Sequence, residues 1–135
     1  MFARLGILAL LLGGLLLLWF GVRGWAWLRR SRRVGRREPG LADGKPTILF
    51  FTADYCTVCK YRQKPALEAL KSARNGTLRI VELDAVAQPD MAKRFGVLSL
   101  PTTAVLAPDG TVGAINYGFA PRDQLDAQLE SIVAV

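Results

Sequence analysis

Histidine is absent from this 135-residue chain, and cysteine occurs only twice, at Cys56 and Cys59. A metal site of the usual kind draws about four ligands from cysteine, histidine and carboxylate side chains. One Cys pair with no imidazole and no second pair argues against bound metal, and a four-thiolate site would need a second copy of the chain. Internal repeats and low-complexity tracts are lacking beyond one arginine run. Charge is missing altogether from Leu5 to Val22. No cysteine closely follows that apolar stretch, so a lipid-attached form has nothing to attach through. The stretch runs into Trp25-Ala26-Trp27-Leu28-Arg29-Arg30 and not into a small-x-small cleavage site, which favours an uncleaved anchor over a removed signal peptide.

Eighteen uncharged residues at about 1.5 Å each give a helix of about 27 Å, close to the roughly 30 Å of a bilayer core. The helix can continue past Arg23, whose long side chain snorkels, to Leu28. Trp19, Trp25 and Trp27, all the tryptophans of the chain, sit at this end, where an aromatic belt places them. A core helix is the competing reading, but the remaining residues are too few to wrap an all-apolar helix of this length. Residues 1–28 are therefore expected to be a transmembrane anchor, in contact with lipid through residues 5–28.

The basic residues give the expected orientation. Arg4 precedes the span, whereas Arg23, Arg29, Arg30, Arg32, Arg33, Arg36 and Arg37 follow it, against Glu38 alone. The positive-inside rule places the carboxyl-terminal side in the cytoplasm, and the arginines can hold anionic lipid headgroups. Of 18 basic residues, eight lie at or before Arg37; ten basic and nine acidic residues remain from Lys45 onward. The formal net charge of +7 is thus almost all juxtamembrane, unlike that of a nucleic-acid-binding domain, whose charge covers a folded face.

Residues 29–45, an arginine run followed by Glu-Pro-Gly and Ala-Asp-Gly-Lys-Pro, read as a basic juxtamembrane linker. Residues 46–135 leave room for one domain. Residues 47–53 form a continuous apolar run, as a strand buried on both sheet faces does. Residues 58–73 read as a helix with Ala66, Leu67, Leu70 and Ala73 inward, bent by Pro65 and ended at Asn75-Gly76. A second strand covers 77–83. A short helix opens at Pro89, turns Met91, Ala92 and Phe95 inward and ends at Gly96. Strands 102–106 and 112–117, joined by Pro108-Asp109-Gly110, form a hairpin, and a last helix follows Pro121 with Leu125, Leu129, Ile132 and Val133 apolar. The expected order is βαβαββα: an α/β fold with a four-stranded mixed sheet between helical layers.

Cys56 and Cys59, three positions apart, meet across one helical turn directly after an apolar strand. A helix beginning near Cys56 aims free backbone N–H groups at its sulfur and favours the thiolate. A redox dithiol is the reading that uses all of these features; half of a metal site and a buried structural pair are the alternatives. Residues 50–60, Phe-Phe-Thr-Ala-Asp-Tyr-Cys-Thr-Val-Cys-Lys, resemble the strand, aromatic residue and CxxC helix start of the thioredoxin superfamily. Residues 95–103, Phe-Gly-Val-Leu-Ser-Leu-Pro-Thr-Thr, are similar to its second landmark, a turn leading to a cis-proline and threonine. Pro108-Asp109-Gly110 and Gly118 match its hairpin turn and closing bulge. The similarity spans residues 46–135, and implies a minimal thioredoxin-like fold with strand order 77–83, 47–53, 102–106, 112–117.

The resemblance further implies that Cys56 is the attacking nucleophile, Cys59 the resolving thiol, and Pro101 a cis-proline packed against them. Tyr55, Thr57, Val58, Leu100 and Thr102 would form the substrate surface. Protein disulfides or dithiols and an upstream protein electron donor are the implied partners, and no cofactor is implied. Three departures stand out. Phe50 occupies a position where the family often has a buried carboxylate that helps deprotonate the second cysteine, so water or a group such as Lys60, Glu82 or Asp84 must serve, or resolution is slow. Thr57-Val58 puts neither histidine nor proline between the cysteines and gives no ground for a strongly oxidising poise. Pro65 lies one position later than the usual helix proline. The function expected is protein-disulfide reduction or exchange at the membrane, on the cytoplasmic side. An extracytoplasmic exchange or cytochrome-maturation factor, and a non-catalytic binding or assembly module, remain as alternatives.

Overall fold

A computed structural model describes residues 1–33 and 35–133, which fall into two compact units, 1–33 and 34–135. The first is one helix, α1 (Phe2–Arg33). Its stretch Phe2–Trp25 has a mean hydropathy of 2.5, none of it buried, and is long and apolar enough to cross a membrane by length and composition. The Arg23 guanidinium lies over the Trp19 ring, 5.0 Å from its centroid, so the cation covers an aromatic face at the end of the apolar run. The side chains of Trp27, Arg29, Arg30, Arg32 and Arg33 lie outside the described residues.

In the second unit the central strand is β1 (Thr47–Thr52). Successive side chains point to opposite faces, and here both faces are apolar: Ile48 and Phe50 join one buried cluster, Leu49 and Phe51 another. β2 (Arg79–Asp84) lies parallel to β1, with Thr47 opposite Arg79 and Phe50 opposite Glu82. β3 (Thr102–Leu106) is antiparallel on the other side, and β4 (Val112–Tyr117) closes a hairpin with it. The resulting order is β2-β1-β3-β4, with β2 at one edge, the order that the family resemblance implies.

Helices cover both faces because both are apolar. On the Phe50 face, α2 (Lys64–Arg74) contributes Leu67 and Leu70, and α4 (Arg122–Val133) contributes Leu125 and Leu129. Burying each such side chain is worth about 1.5–3 kcal/mol. Arg74 ties the two helices together at their rim by pairing with Asp126 at 2.6 Å and Glu130 at 2.9 Å. On the other face, α3 (Pro89–Phe95) packs Phe95 against Phe51, ring centroids 5.6 Å apart. α2 stops at Asn75 and α3 at Gly96, each in the left-handed conformation that ends a helix.

Residues 35–44, within the stretch read as linker, lie against the β3–β4 hairpin. Gly35 N–H donates to Val112 O at 2.6 Å, Val112 N–H to Arg36 O at 2.8 Å, and Glu38 N–H to Gly110 O at 2.9 Å. Glu38 is 2% exposed, and its carboxylate is held by Arg36 at 2.6 Å and by Arg94. A charge with so little water needs partners of this kind. Farther along, the Arg79 guanidinium and the Lys45 N–H hold the exposed Asp43 carboxyl below its ordinary value. That tie is complete above the usual carboxylate range and is lost as pH falls through the lowered value.

Gly110 is the point on which this docking turns. Its φ is +86°, and a Cβ there would collide with the Glu38 carbonyl and press on Ala42. The left-handed conformation alone costs a residue with a Cβ about 1–2 kcal/mol. Gly110→Ala is expected to destabilise the domain by about 2–3 kcal/mol in chemical denaturation and to speed proteolysis within residues 35–44. Gly40→Ala, where no neighbouring atom lies within 4 Å, should change neither.

Candidate active site

β1 ends at Thr52, and the chain turns through Asp54 and Tyr55, closed by Cys56 N–H donating to Ala53 O at 3.0 Å. Helical residues begin at Thr57, which places Cys56 at the start of the helix. The Cys59 N–H is then aimed at Cys56 Sγ, at 3.2 Å. This is one of the unpaired donors of a first helical turn, and it favours negative charge on that sulfur once the bond is opened. The two sulfurs are joined as a disulfide of 2.17 Å with Cα atoms 5.3 Å apart.

Helix geometry directly after the cysteines is unusual. Cys59–Gln63 forms a π-helical turn in which Lys64 N–H reaches back to Cys59 O, one residue farther than an α-helical bond. Pro65 follows with no N–H to give. The bend expected from Pro65 thus appears as one widened turn, which accommodates an additional residue between Cys59 and the proline. Gln63, the last residue of that turn, is fully buried: its Nε2 donates to Ala120 O at 3.0 Å and its Oε1 accepts from Ala120 N–H at 2.9 Å. Ala120 belongs to the cluster that contains both cysteines, so this double bond fastens the chain before α4 beneath the disulfide. Gln63 was invisible in the sequence, where it lies within the polar stretch Lys60-Tyr61-Arg62-Gln63-Lys64 and looks solvated.

The Leu100–Pro101 peptide bond is cis, and Pro101 is buried with its carbonyl accepting from Gly118 N–H at 2.8 Å. A cavity of about 430 Å³ opens beside Cys56 and brings together Tyr55, Thr57, Val58 and Leu100. Val86 and Leu98 complete its rim; neither carries a sequence signal beyond being an apolar residue in a connecting segment. Leu98 is 95% exposed and Tyr55 76%, so apolar surface faces water around the disulfide. Thr102 stands apart from this cavity: it is fully buried, and its hydroxyl donates to Ser99 O at 2.7 Å. Leu100 and Thr102 therefore meet different surroundings, with only Leu100 facing the groove.

A second cavity, of about 510 Å³, is lined by Cys59, Phe50, Lys60, Lys64, Glu82 and Asp84. Cys56 lines the first cavity and Cys59 the second, so the disulfide stands between an apolar groove and a charged one. This arrangement supports thiol–disulfide exchange in which one sulfur meets an outside disulfide and the other is reached only from within. In the reduced protein, alkylation near pH 7 is expected to modify Cys56 at least about ten times faster than Cys59, because its thiolate is favoured and its residue less enclosed. Peptide mapping of partially alkylated protein measures the ratio, and equal rates or a faster Cys59 would reverse the assignment.

Comparison with known proteins bears on the same residues. The thioredoxin family model matches residues 39–131. Thioredoxin from Alicyclobacillus acidocaldarius is 28% identical over 96 residues, covering 71% of this chain and 90% of that protein. Thioredoxin from Mycobacterium bovis is 36% identical over 93 residues, covering 69% of this chain and 78% of that protein. Among solved structures, chloroplastic thioredoxin z matches with a TM-score of 0.61 at 23% identity, over 68% of this chain and 81% of that one. Thioredoxin-2, described as a component of malaria parasite protein secretion machinery, gives 0.60 at 24% identity, over 64% of this chain and 82% of that one. The structural likenesses speak for the fold. With the family model running through both cysteines and Pro101, this chain belongs to the thioredoxin family.

Proposed function

We propose that the protein is a membrane-anchored thiol–disulfide oxidoreductase that reduces or exchanges disulfides of protein clients, with its thioredoxin domain on the cytoplasmic side. Family membership and the closed Cys56–Cys59 pair make the chain a disulfide oxidoreductase. The observation that carries the mechanism is the division of the two sulfurs between different cavities, with Cys56 beside the open apolar groove.

In the reducing direction the Cys56 thiolate attacks a client disulfide, forming a Cys56–client bond as the client's second sulfur leaves with the electron pair. Cys59, losing its proton, then attacks Cys56 Sγ; the client leaves as a thiolate that takes a proton from water, and the Cys56–Cys59 disulfide closes. Two electrons pass from the dithiol to the client, and an upstream protein dithiol restores the pair. Tyr55, Thr57, Val58 and Leu100 form the surface for an extended client segment, with Pro101 beneath it; Thr102 serves by holding the Ser99–Pro101 turn. Residues 1–28 act as the anchor, 29–45 as the basic juxtamembrane segment, and 46–135 as the redox domain. Lipid contact through residues 5–28 and headgroup contact through the arginine run follow from apolarity and charge.

Two experiments test this reading. Cys59→Ser should accumulate mixed disulfides on Cys56, visible as client proteins on diagonal gels; turnover by the wild type with no adduct in the variant would remove Cys59 from the resolving role. A reporter active on only one side of the membrane, fused after Val135, should report the cytoplasm, and neutralising the arginines from Arg29 to Arg37 should weaken that orientation. An outer-side signal from the unmodified chain would replace the cytoplasmic reductase by an extracytoplasmic exchanger and leave the thiol chemistry standing.

A further inference from the structure

The charged cavity beneath Cys59 has no part in binding a client at Cys56, yet Cys59 is where proton transfer is needed. A thiol that is 1% exposed attacks only after losing its proton, and bulk water does not reach it freely. The charged groups lining that cavity are Asp54, Lys60, Lys64, Glu82 and Asp84. Glu68 and Lys71 of α2 face an adjoining cavity of about 170 Å³ that shares Phe50, Lys64 and Glu82 with the first.

Geometry separates these candidates. Asp84 Oδ1 already accepts Val86 N–H at 2.8 Å and Ala87 N–H at 3.1 Å, which commits it to the turn after β2. Lys60 is an ammonium and takes no proton, and Asp54 stands in the turn before Cys56, outside the β1–β2 register. Glu82 is the register partner of Phe50 across the parallel β1–β2 pair, so its side chain leaves the sheet on the same face as Phe50. The Phe50 ring shares a buried cluster with Cys59. Lys64, one residue past the π-helical turn that begins at Cys59, reaches Glu82 Oε2 at 3.7 Å. The widened turn and the strand register together set an ion pair at the wall of a cavity whose other wall includes Cys59. Glu82 is the one charged residue in the strand sequence Ile80-Val81-Glu82-Leu83.

We propose that Glu82, oriented by Lys64, is the proton acceptor for Cys59 through water in this cavity. In the resolving step the Cys59 S–H proton passes by way of that water to the Glu82 carboxylate, and the Cys59 sulfur attacks Cys56 Sγ. The client sulfur leaves with the electron pair of the broken bond. When the pair is reduced again, Glu82 returns the proton to Cys59 and is left as the carboxylate, which the Lys64 ammonium stabilises. The inference rests on Cys59 being the resolving thiol.

Reduced full-length protein mixed with an excess of an aromatic disulfide such as 5,5′-dithiobis(2-nitrobenzoate) releases one thiolate when Cys56 attacks and a second when Cys59 resolves. Glu82→Gln should slow the second release about ten-fold at pH 7 and leave the first unchanged, and the deficit should close as pH rises above about 9, where the thiol ionises without help. Glu82→Asp should recover most of the rate, and Lys64→Met should shift the pH profile of the second release while sparing the first. A second release in Glu82→Gln within two-fold of wild type at every pH, or slowed equally at every pH, would overturn the proposal. A wild-type protein that fails to give the second release at all would overturn the resolving role of Cys59 itself.

Discussion

The burial of β1 on both faces is the constraint from which the rest of the domain follows. Six consecutive residues, Thr47–Thr52, have only half-buried Thr52 in contact with water. Such a strand cannot sit at an edge or under a single helical layer. It needs neighbours on both sides, supplied by β2 and β3, and cover above and below, supplied by α2 with α4 and by α3. Its carboxyl-terminal end is then the one place where the central strand meets a helix start. The first turn of that helix has backbone N–H groups with no carbonyl to serve, and Cys56 is the residue that receives one of them.

The same arrangement distributes the chemistry. Because side chains alternate along β1 and pair in register with β2, Phe50 and Glu82 share the face that carries the cysteine helix, while Leu49 and Phe51 face α3. The apolar ring at residue 50 packs in the buried cluster that holds Cys56 and Cys59, and the carboxylate stands one strand away with a lysine beside it. The half-exposed position of Glu82 and Lys64 means that their ion pair adds little to stability, since solvent screens it. Such a pair is better explained by what it lines than by what it holds together.

Much of this was legible in the sequence because the signals were local or periodic. The unbroken apolar run at 47–53 implied burial on both faces, the Asn75-Gly76 and Gly96 stops fixed two helix ends, and the family resemblance implied the strand order. Tyr55, Cys56, Thr57, Val58 and Leu100 line one cavity, and Cys59, bonded to Cys56, lines another. Other features depend on partners far away in sequence and leave no pattern. Glu38 reads as a lone acid in a basic stretch until the fold brings Arg94 to it. Gln63 reads as solvent-facing until a π turn rotates it onto Ala120, 57 positions away. Leu98 and Val86 are single apolar residues in connecting segments, and only their position beside the disulfide gives them meaning. Thr102 illustrates the converse: strand alternation at the start of β3 turns it inward, beside a cis-proline that leaves Leu100 to face the groove.

The docked segment at 35–44 and the redox centre occupy opposite ends of the sheet. Thr47 pairs with Leu106, next to the hairpin turn that Glu38 and Gly110 clamp, whereas Phe51 pairs with Thr102, next to Pro101 and the disulfide. Six strand residues at about 3.3 Å each separate the two ends by about 20 Å. The chain therefore enters the domain at the pole away from its cysteines. The buried Glu38, its two arginines and the backbone bonds to Gly110 and Val112 fix this entering segment to the sheet, so residues 35–44 are part of the folded domain at the pole away from its cysteines.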